Sequence, residues 1–124
     1  MKRRAYLILM VLALLSSPAY AGIRFGQGTK TVTTAGSPLA LQSTSLDVTS
    51  LTVCADSGDT GKIAVALAPV AAAGSQQGVI LSPGGCVCIE GHNAYPAKFD
   101  ISQFKVDSTV NGEKASFFYV TEEN

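Results

Sequence analysis

From Gly22 onward, apolar residues recur at every second position in short runs, and turn-forming residues separate the runs. A period of two puts alternate side chains on opposite faces, so these runs predict strands. Val32 and Thr34 share a phase before the Gly36-Ser37-Pro38 break, and Leu39 and Leu41 share one after it. Leu46 and Val48 lie in one phase, Leu51 and Val53 in the other. The change at Thr49-Ser50 predicts either a bulge or a bend where the strand passes between sheets. After the Gly-flanked turn at 57–61, Ile63, Val65 and Leu67 alternate with Ala64, Ala66 and Ala68. An alanine face is small enough to lie beneath a second layer or a neighbouring subunit without leaving a large apolar patch.

Pro69, Gly74 and Gly78 leave no room for a helix in the alanine-rich stretch that follows, which reads as a loop. Val79-Ile80-Leu81 predicts a short strand, 82–85 a turn, 86–89 another strand and 91–96 a loop. Asp100 can accept a backbone N–H two or three residues on, which predicts one helical turn there. Phe104, Val106, Ser108 and Val110 then share a strand face that ends at Asn111-Gly112, a pair that favours a tight hairpin. In the strand at 115–120, Phe117 and Tyr119 face one way and Phe118 and Val120 the other, so it is expected to be central or at a contact surface. Together these runs predict an all-β domain, a single jelly-roll-like β-sandwich of about seven or eight short strands.

Lys2-Arg3-Arg4, the apolar run at 5–15 and Ala19-Tyr20-Ala21 form the three parts of a secretory signal. Residues 1–21 are therefore expected to be a signal peptide cleaved after Ala21, leaving 22–124 as the β-sandwich domain. The competing reading, a retained membrane anchor touching the bilayer through 5–21, falls short of the ~20 apolar residues a spanning helix needs. Without the signal, six bases face nine acids, a net charge of −3. The whole chain balances nine against nine, so no surplus of base argues for nucleic acid. An apolar content of 47% excludes a disordered chain. The expected location is a virion, or the periplasm or exterior after export.

Cys54, Cys86 and Cys88 are an odd number of thiols in a chain bound for an oxidising compartment. Cys86 and Cys88, two apart on one strand, are poorly placed to bond each other, so Cys54 is expected to pair with Cys88, or with Cys86 in its place. A bond spanning two sheets would close a loop of about thirty residues and contribute roughly 3 to 4 kcal/mol. Cys86, Cys88 and His92, with Cys54 brought alongside, are the candidates for a metal, and their spacing does not match a structural zinc site. Asp56, Asp59 and Thr60 read as turn chemistry rather than a calcium loop. His92 alone would have to carry a small secreted hydrolase, and no hydrolase or nucleotide motif accompanies it. No catalytic residue and no cofactor is expected.

The stretch 31–120 resembles the small β-sandwich modules of bacteriophage virion structural proteins. The likeness is carried by Thr31-Val32-Thr33-Thr34 with Pro38-Leu39, by Leu51-Thr52-Val53-Cys54-Ala55 running into Asp59-Thr60-Gly61-Lys62-Ile63-Ala64-Val65, and by Leu81-Ser82-Pro83-Gly84. It continues through Asp100-Ile101-Ser102-Gln103-Phe104-Lys105-Val106-Asp107 and Val110-Asn111-Gly112-Glu113-Lys114-Ala115-Ser116-Phe117-Phe118-Tyr119. The resemblance implies a non-enzymatic capsid-associated, decoration, spike or fibre-base component. Its partners would be copies of itself and neighbouring virion or envelope proteins. A signal segment and cysteines depart from those modules and fit a phage with a membrane step, or a phage-like domain exported by a bacterium as a periplasmic or surface binding module. The expected assembly surface is the alanine face, Ala64, Ala66 and Ala68, with Phe117, Phe118 and Tyr119.

Overall fold

The structure is a computed structural model that describes residues 22–67, 78–91 and 97–122. The expected signal segment, Ala68, the 69–77 loop and His92 lie outside them. The described chain is all-β, with ten strands and one 3-10 turn. In chain order the strands are β1 (Ile23–Val32), β2 (Leu39–Ala40), β3 (Asp47–Val48), β4 (Ser50–Ala55), β5 (Ile63–Leu67), β6 (Val79–Leu81), β7 (Cys86–Glu90), β8 (Phe99–Asp100), β9 (Phe104–Ser108) and β10 (Glu113–Glu122). They form two four-stranded sheets, β1-β10-β4-β7 and β2-β9-β5-β6, and a two-stranded ladder of β3 and β8.

The pairing is nested. β5 pairs β6, β4 pairs β7, β3 pairs β8, β2 pairs β9 and β1 pairs β10, every ladder antiparallel. The chain thus folds back on itself about the β5–β6 connection like one long hairpin. Two further ladders, β10 with β4 and β9 with β5, join its parts into the two sheets.

Alternation decides which side chains meet. Val32, Leu51, Val53, Ala55, Ala115 and Phe117 point inward from the first sheet. Ile63, Val65, Leu81, Phe104 and Val106 do so from the second, and all belong to one buried cluster. Each fully buried aliphatic or aromatic side chain contributes about 1.5–3 kcal/mol relative to exposure. Phe99 and Phe104 meet edge to face, centroids 5.4 Å apart, while Phe117 and Tyr119 stack at 6.4 Å.

The phase change at Thr49-Ser50 is a bend between ladders: β3 pairs β8, and β4 enters the large sheet between β10 and β7. Thr49 N–H donates to the Val120 carbonyl at 2.8 Å at that point. The predicted helical turn is the 3-10 turn Ile101–Gln103, with Asp100 accepting from Ser102 N–H at 2.8 Å. The Asn111-Gly112 hairpin is corrected. Gly112 takes the positive φ of 85°, but β9 and β10 lie in different sheets and do not pair. The turn carries the chain across the core, and Gly112 N–H donates to the Val32 carbonyl at 2.7 Å.

Candidate functional site

β10 is central in its sheet, and its two faces do different work. Odd positions point inward: Ala115 and Phe117 are buried, and Tyr119 packs half-buried against the core. Even positions point outward, where Phe118 is 50% exposed. On β1 the inward phase carries Gly26 and Gly28, and a Cβ on either would run into the ring of Tyr119 or Phe117 respectively. The outward phase of β1 carries Ile23 and Phe25, 63% and 82% exposed.

Register makes these outward residues one patch. Phe25 lies opposite Val120 and Gln27 opposite Phe118, so Phe25 and Phe118 are diagonal neighbours. With Ser50 and Thr52 of β4 they line a shallow depression of about 200 Å³. Phe25 forgoes most, and Phe118 about half, of the roughly 1.5–3 kcal/mol that full burial would supply.

Of the five described residues expected to form an assembly surface, Phe118 alone is a large exposed apolar group. Phe117 is 3% exposed because odd positions of β10 face the core. Tyr119 shares that inward phase. Ala64 is buried and Ala66 half-buried on β5. The sequence reading did not name Ile23 and Phe25, the other large exposed apolar residues of this face, whose phase continues into the polar Gln27, Thr29 and Thr31. The signal that could have found them was the apolar pair Ile23 and Phe25 two positions apart, with the small Gly26 and Gly28 in the opposite phase.

The disulfide joins Cys54 to Cys86, and Cys88 is free and exposed. Register explains the choice, since Cys54 lies directly opposite Cys86 while Cys88 lies opposite Thr52. The inter-sheet span is corrected: the bond links neighbouring strands β4 and β7 on the outer face of one sheet. Cys88 donates its thiol hydrogen toward the Glu90 carboxylate at 4.0 Å. With Cys86 bonded, the Cys86, Cys88 and His92 metal candidate has lost a thiolate. Among the described residues no three Cys, His, Asp or Glu side chains gather as a metal site.

A pair of acids closes the turn after β4. The Glu113 carboxylate is buried and accepts from Thr60 N–H at 2.9 Å, Thr60 hydroxyl at 2.9 Å and Gly61 N–H at 3.1 Å. Asp59 accepts from Lys114 N–H at 3.0 Å. Burial, followed by the hydrogen bond and charge of Glu113, pushes the Asp59 carboxyl above its usual range. Burial also acts to raise Glu113, but the hydrogen bonds from Thr60, Asp59 and Gly61 outweigh it and hold that carboxyl low. Asp59 Oδ2 is buried with no donor against it, which the shared proton of an acid–carboxylate pair would supply. Asp56 forms the expected local turn, accepting from Gly58 N–H at 2.9 Å. Asp56 thus makes the local turn bond expected of it, whereas Asp59 and Thr60, read as turn chemistry, instead tie the loop to Lys114 and Glu113 of β10.

At the end of the molecule where β1 starts and β10 finishes, Phe25, Leu46, Asp47, Lys98, Tyr119 and Glu122 border an open groove of about 500 Å³. Compared with models of known protein families and with curated protein sequences, the chain matches neither a family nor a characterised protein.

Proposed function

We propose that the chain is an exported structural module, a jelly-roll building block of the phage-virion type, which works by packing against copies of itself and neighbouring particle or envelope proteins. The observation that carries this reading is the apolar outer face of the β1–β10 ladder, with Phe25 and Phe118 held in register on rigid strands. The nested strand order supports the jelly-roll assignment, because wrapping one long antiparallel hairpin stack around a core gives sheets of the order 1-10-4-7 and 2-9-5-6. The Cys54–Cys86 bond is compatible with an oxidising destination, as export past a signal cleaved after Ala21 would provide.

Multi-angle light scattering on the exported protein, with mass analysis of whatever co-purifies, tests the reading. Oligomers or particle proteins in the same fraction are expected. A strict monomer with no partner among virion or envelope proteins would overturn it.

The groove beside Phe25 and Tyr119 favours a second reading, an exported periplasmic or surface binding module, because two aromatic residues and charges of both signs border it. Saturable binding of a small polar ligand, weakened by Tyr119→Ala without a change in oligomeric state, would select this reading over the first.

A further inference from the structure

Cys54, Cys86 and Cys88 share the outer face of one sheet. Cys54 of β4 is directly opposite Cys86 of β7, and Cys88 follows two residues along β7, opposite Thr52. Side chains two apart on a strand point the same way, so the free thiol lies beside the bond, and both Cys86 and Cys88 are exposed. β7 is an edge strand of five residues, paired with β4 alone among the described residues.

A strand with this pattern has a second register open to it. Slipping by one residue would turn Val87 and Ile89 outward, whereas slipping by two keeps every side chain on its own face. It also keeps the alternation of the ladder. Ala55 N–H donates to the Gly85 carbonyl and Gly91 N–H to the Thr49 carbonyl, so Cys54–Cys86 and Thr52–Cys88 are both non-hydrogen-bonded pairs, in which side chains approach most closely. A two-residue slip sets Cys88 opposite Cys54, Glu90 opposite Thr52, and Ile89 opposite Val53 in the place of Val87.

We propose that Cys88 is the attacking thiol of an internal exchange that moves the disulfide from Cys54–Cys86 to Cys54–Cys88 and, with it, β7 by two residues along β4. Cys88 gives its proton to water and its thiolate attacks Cys54 Sγ. The Cys54–Cys86 bond breaks as the Cys54–Cys88 bond forms, and Cys86 leaves with the electron pair and takes up a proton. One disulfide and one thiol stand on each side, so no oxidant or reductant takes part. Attack on Cys86 would instead join Cys86 to Cys88 on one strand, across Cα atoms ~6.6 Å apart, close to the upper limit for a disulfide. Without the slip, Cys54 and Cys88 are diagonal neighbours at ~7–8 Å, beyond that limit, so bond and register move together.

The register with Cys54–Cys86 bonded is the favoured one. In the other, Gly91 replaces Ile89 opposite Leu51 and Val87 replaces Gly85 opposite Ala55, so apolar contact is lost at one end and crowding is added at the other. The connections accommodate the slip. The turn at 82–85, with two glycines, lengthens by two residues, and the chain between Gly91 and Ala97, which pack against each other, shortens by two. The exchange carries the free thiol from opposite Thr52 to opposite Asp56 and shifts the edge that β7 presents. It stands independently of the assembly reading.

The test uses the full chain, purified after export without reductant. It is held at about pH 8 under argon, quenched and alkylated in acid, and the alkylated cysteine is located by tandem mass spectrometry. Label mainly on Cys88 with about 0.1–10% on Cys86 is expected, the population of a state a few kcal/mol above the main one, reached faster at higher pH and at a rate independent of protein concentration. Cys86→Ser should be exported with Cys54 bonded to Cys88, and nuclear Overhauser spectra should show the Cα protons of those two residues in contact. Label on Cys86 below 0.1%, free Cys54, or exchange that accelerates with protein concentration would overturn the proposal. So would a Cys54–Cys88 bond in Cys86→Ser with Thr52 still opposite Cys88. Should Cys86→Ser not accumulate, the labelling of the unaltered chain decides by itself.

Discussion

Gly28 and Phe117 form the contact that most directly tests how β1 is held to its sheet. A Cβ on Gly28 would reach the Phe117 ring, with Cε1 2.8 Å away and Cζ closer still. That ring is buried against the core and cannot swing out. Gly28→Ala should gain about 0.5–1 kcal/mol from the reduced freedom of the unfolded chain and lose about 1–3 kcal/mol to overpacking, a net destabilisation of roughly 1–2 kcal/mol. Phe117→Ala should cost about 3–5 kcal/mol, a large part of the 5–15 kcal/mol that holds a domain together. In Phe117→Ala the added methyl meets space where the ring was, so the double variant should be more stable than the two single losses predict, with about 1–2 kcal/mol of coupling. Reversible urea unfolding at neutral pH with the disulfide intact measures all four corners of the cycle. A neutral or stabilising Gly28→Ala, or losses that add, would refute the claim that the ring rather than the backbone demands glycine there.

Removing the disulfide by Cys54→Ser with Cys86→Ser should cost about 4 kcal/mol on the loop-entropy account, for a bond that closes a separation of 32 residues. Non-reducing mass analysis should find that bond and one alkylatable thiol, at Cys88. Asp59→Asn should raise the unfolding midpoint at neutral pH. A carboxyl held above its ordinary 3.8 stabilises the fold fully below that value and loses this contribution as pH rises through the folded one. The gain should vanish in acid, and its persistence there would count against the shared proton. Asp100 has the opposite sign. The hydroxyls of Ser45 and Ser102, with Ser102 and Leu46 N–H, hold its pKa to about 2, so its contribution is present above about 3.8 and is lost as pH falls toward 2. Asp100→Asn should flatten that acid limb in a pH series of unfolding midpoints.

The legible parts of the sequence were those where alternation and burial coincide. Leu51, Val53, Ile63, Val65, Val106 and Phe117 are period-two residues of the runs read as strands, and all lie in the core. The phase change at Thr49-Ser50 was readable because a single strand cannot switch its buried face without a bulge or a bend. β1 was illegible over most of its length because its inward phase is Arg24, Gly26, Gly28 and Lys30. The apolar material that fills those positions belongs to Phe117 and Tyr119 of the next strand, so the hydrophobic pattern of β1 is written on β10. Asn-Gly was legible as a turn and misleading as a hairpin. Local φ preferences fix the reversal, whereas which sheet the chain enters next is set by pairings made over fifty residues away, such as β10 with β4.

The same distinction governs the candidate surface. A two-sided apolar strand such as 115–120 says that both faces meet something apolar, but not which face meets its own core. That depends on the phase of β4 and β1 across the ladder, and the register settles it: Phe117 pairs across from Val53 and Gly28, Phe118 from Thr52 and Gln27. The neighbours of Phe117 are apolar or absent, those of Phe118 polar, so the sheet has an inside and an outside even though β10 alone does not. Phe118 is then an aromatic among threonine, glutamine and serine, and only Phe25 and Val120 beside it share its character. Among the described residues no side chain covers such a group, so on the assembly reading Phe25→Lys is the substitution expected to weaken association while leaving folding alone.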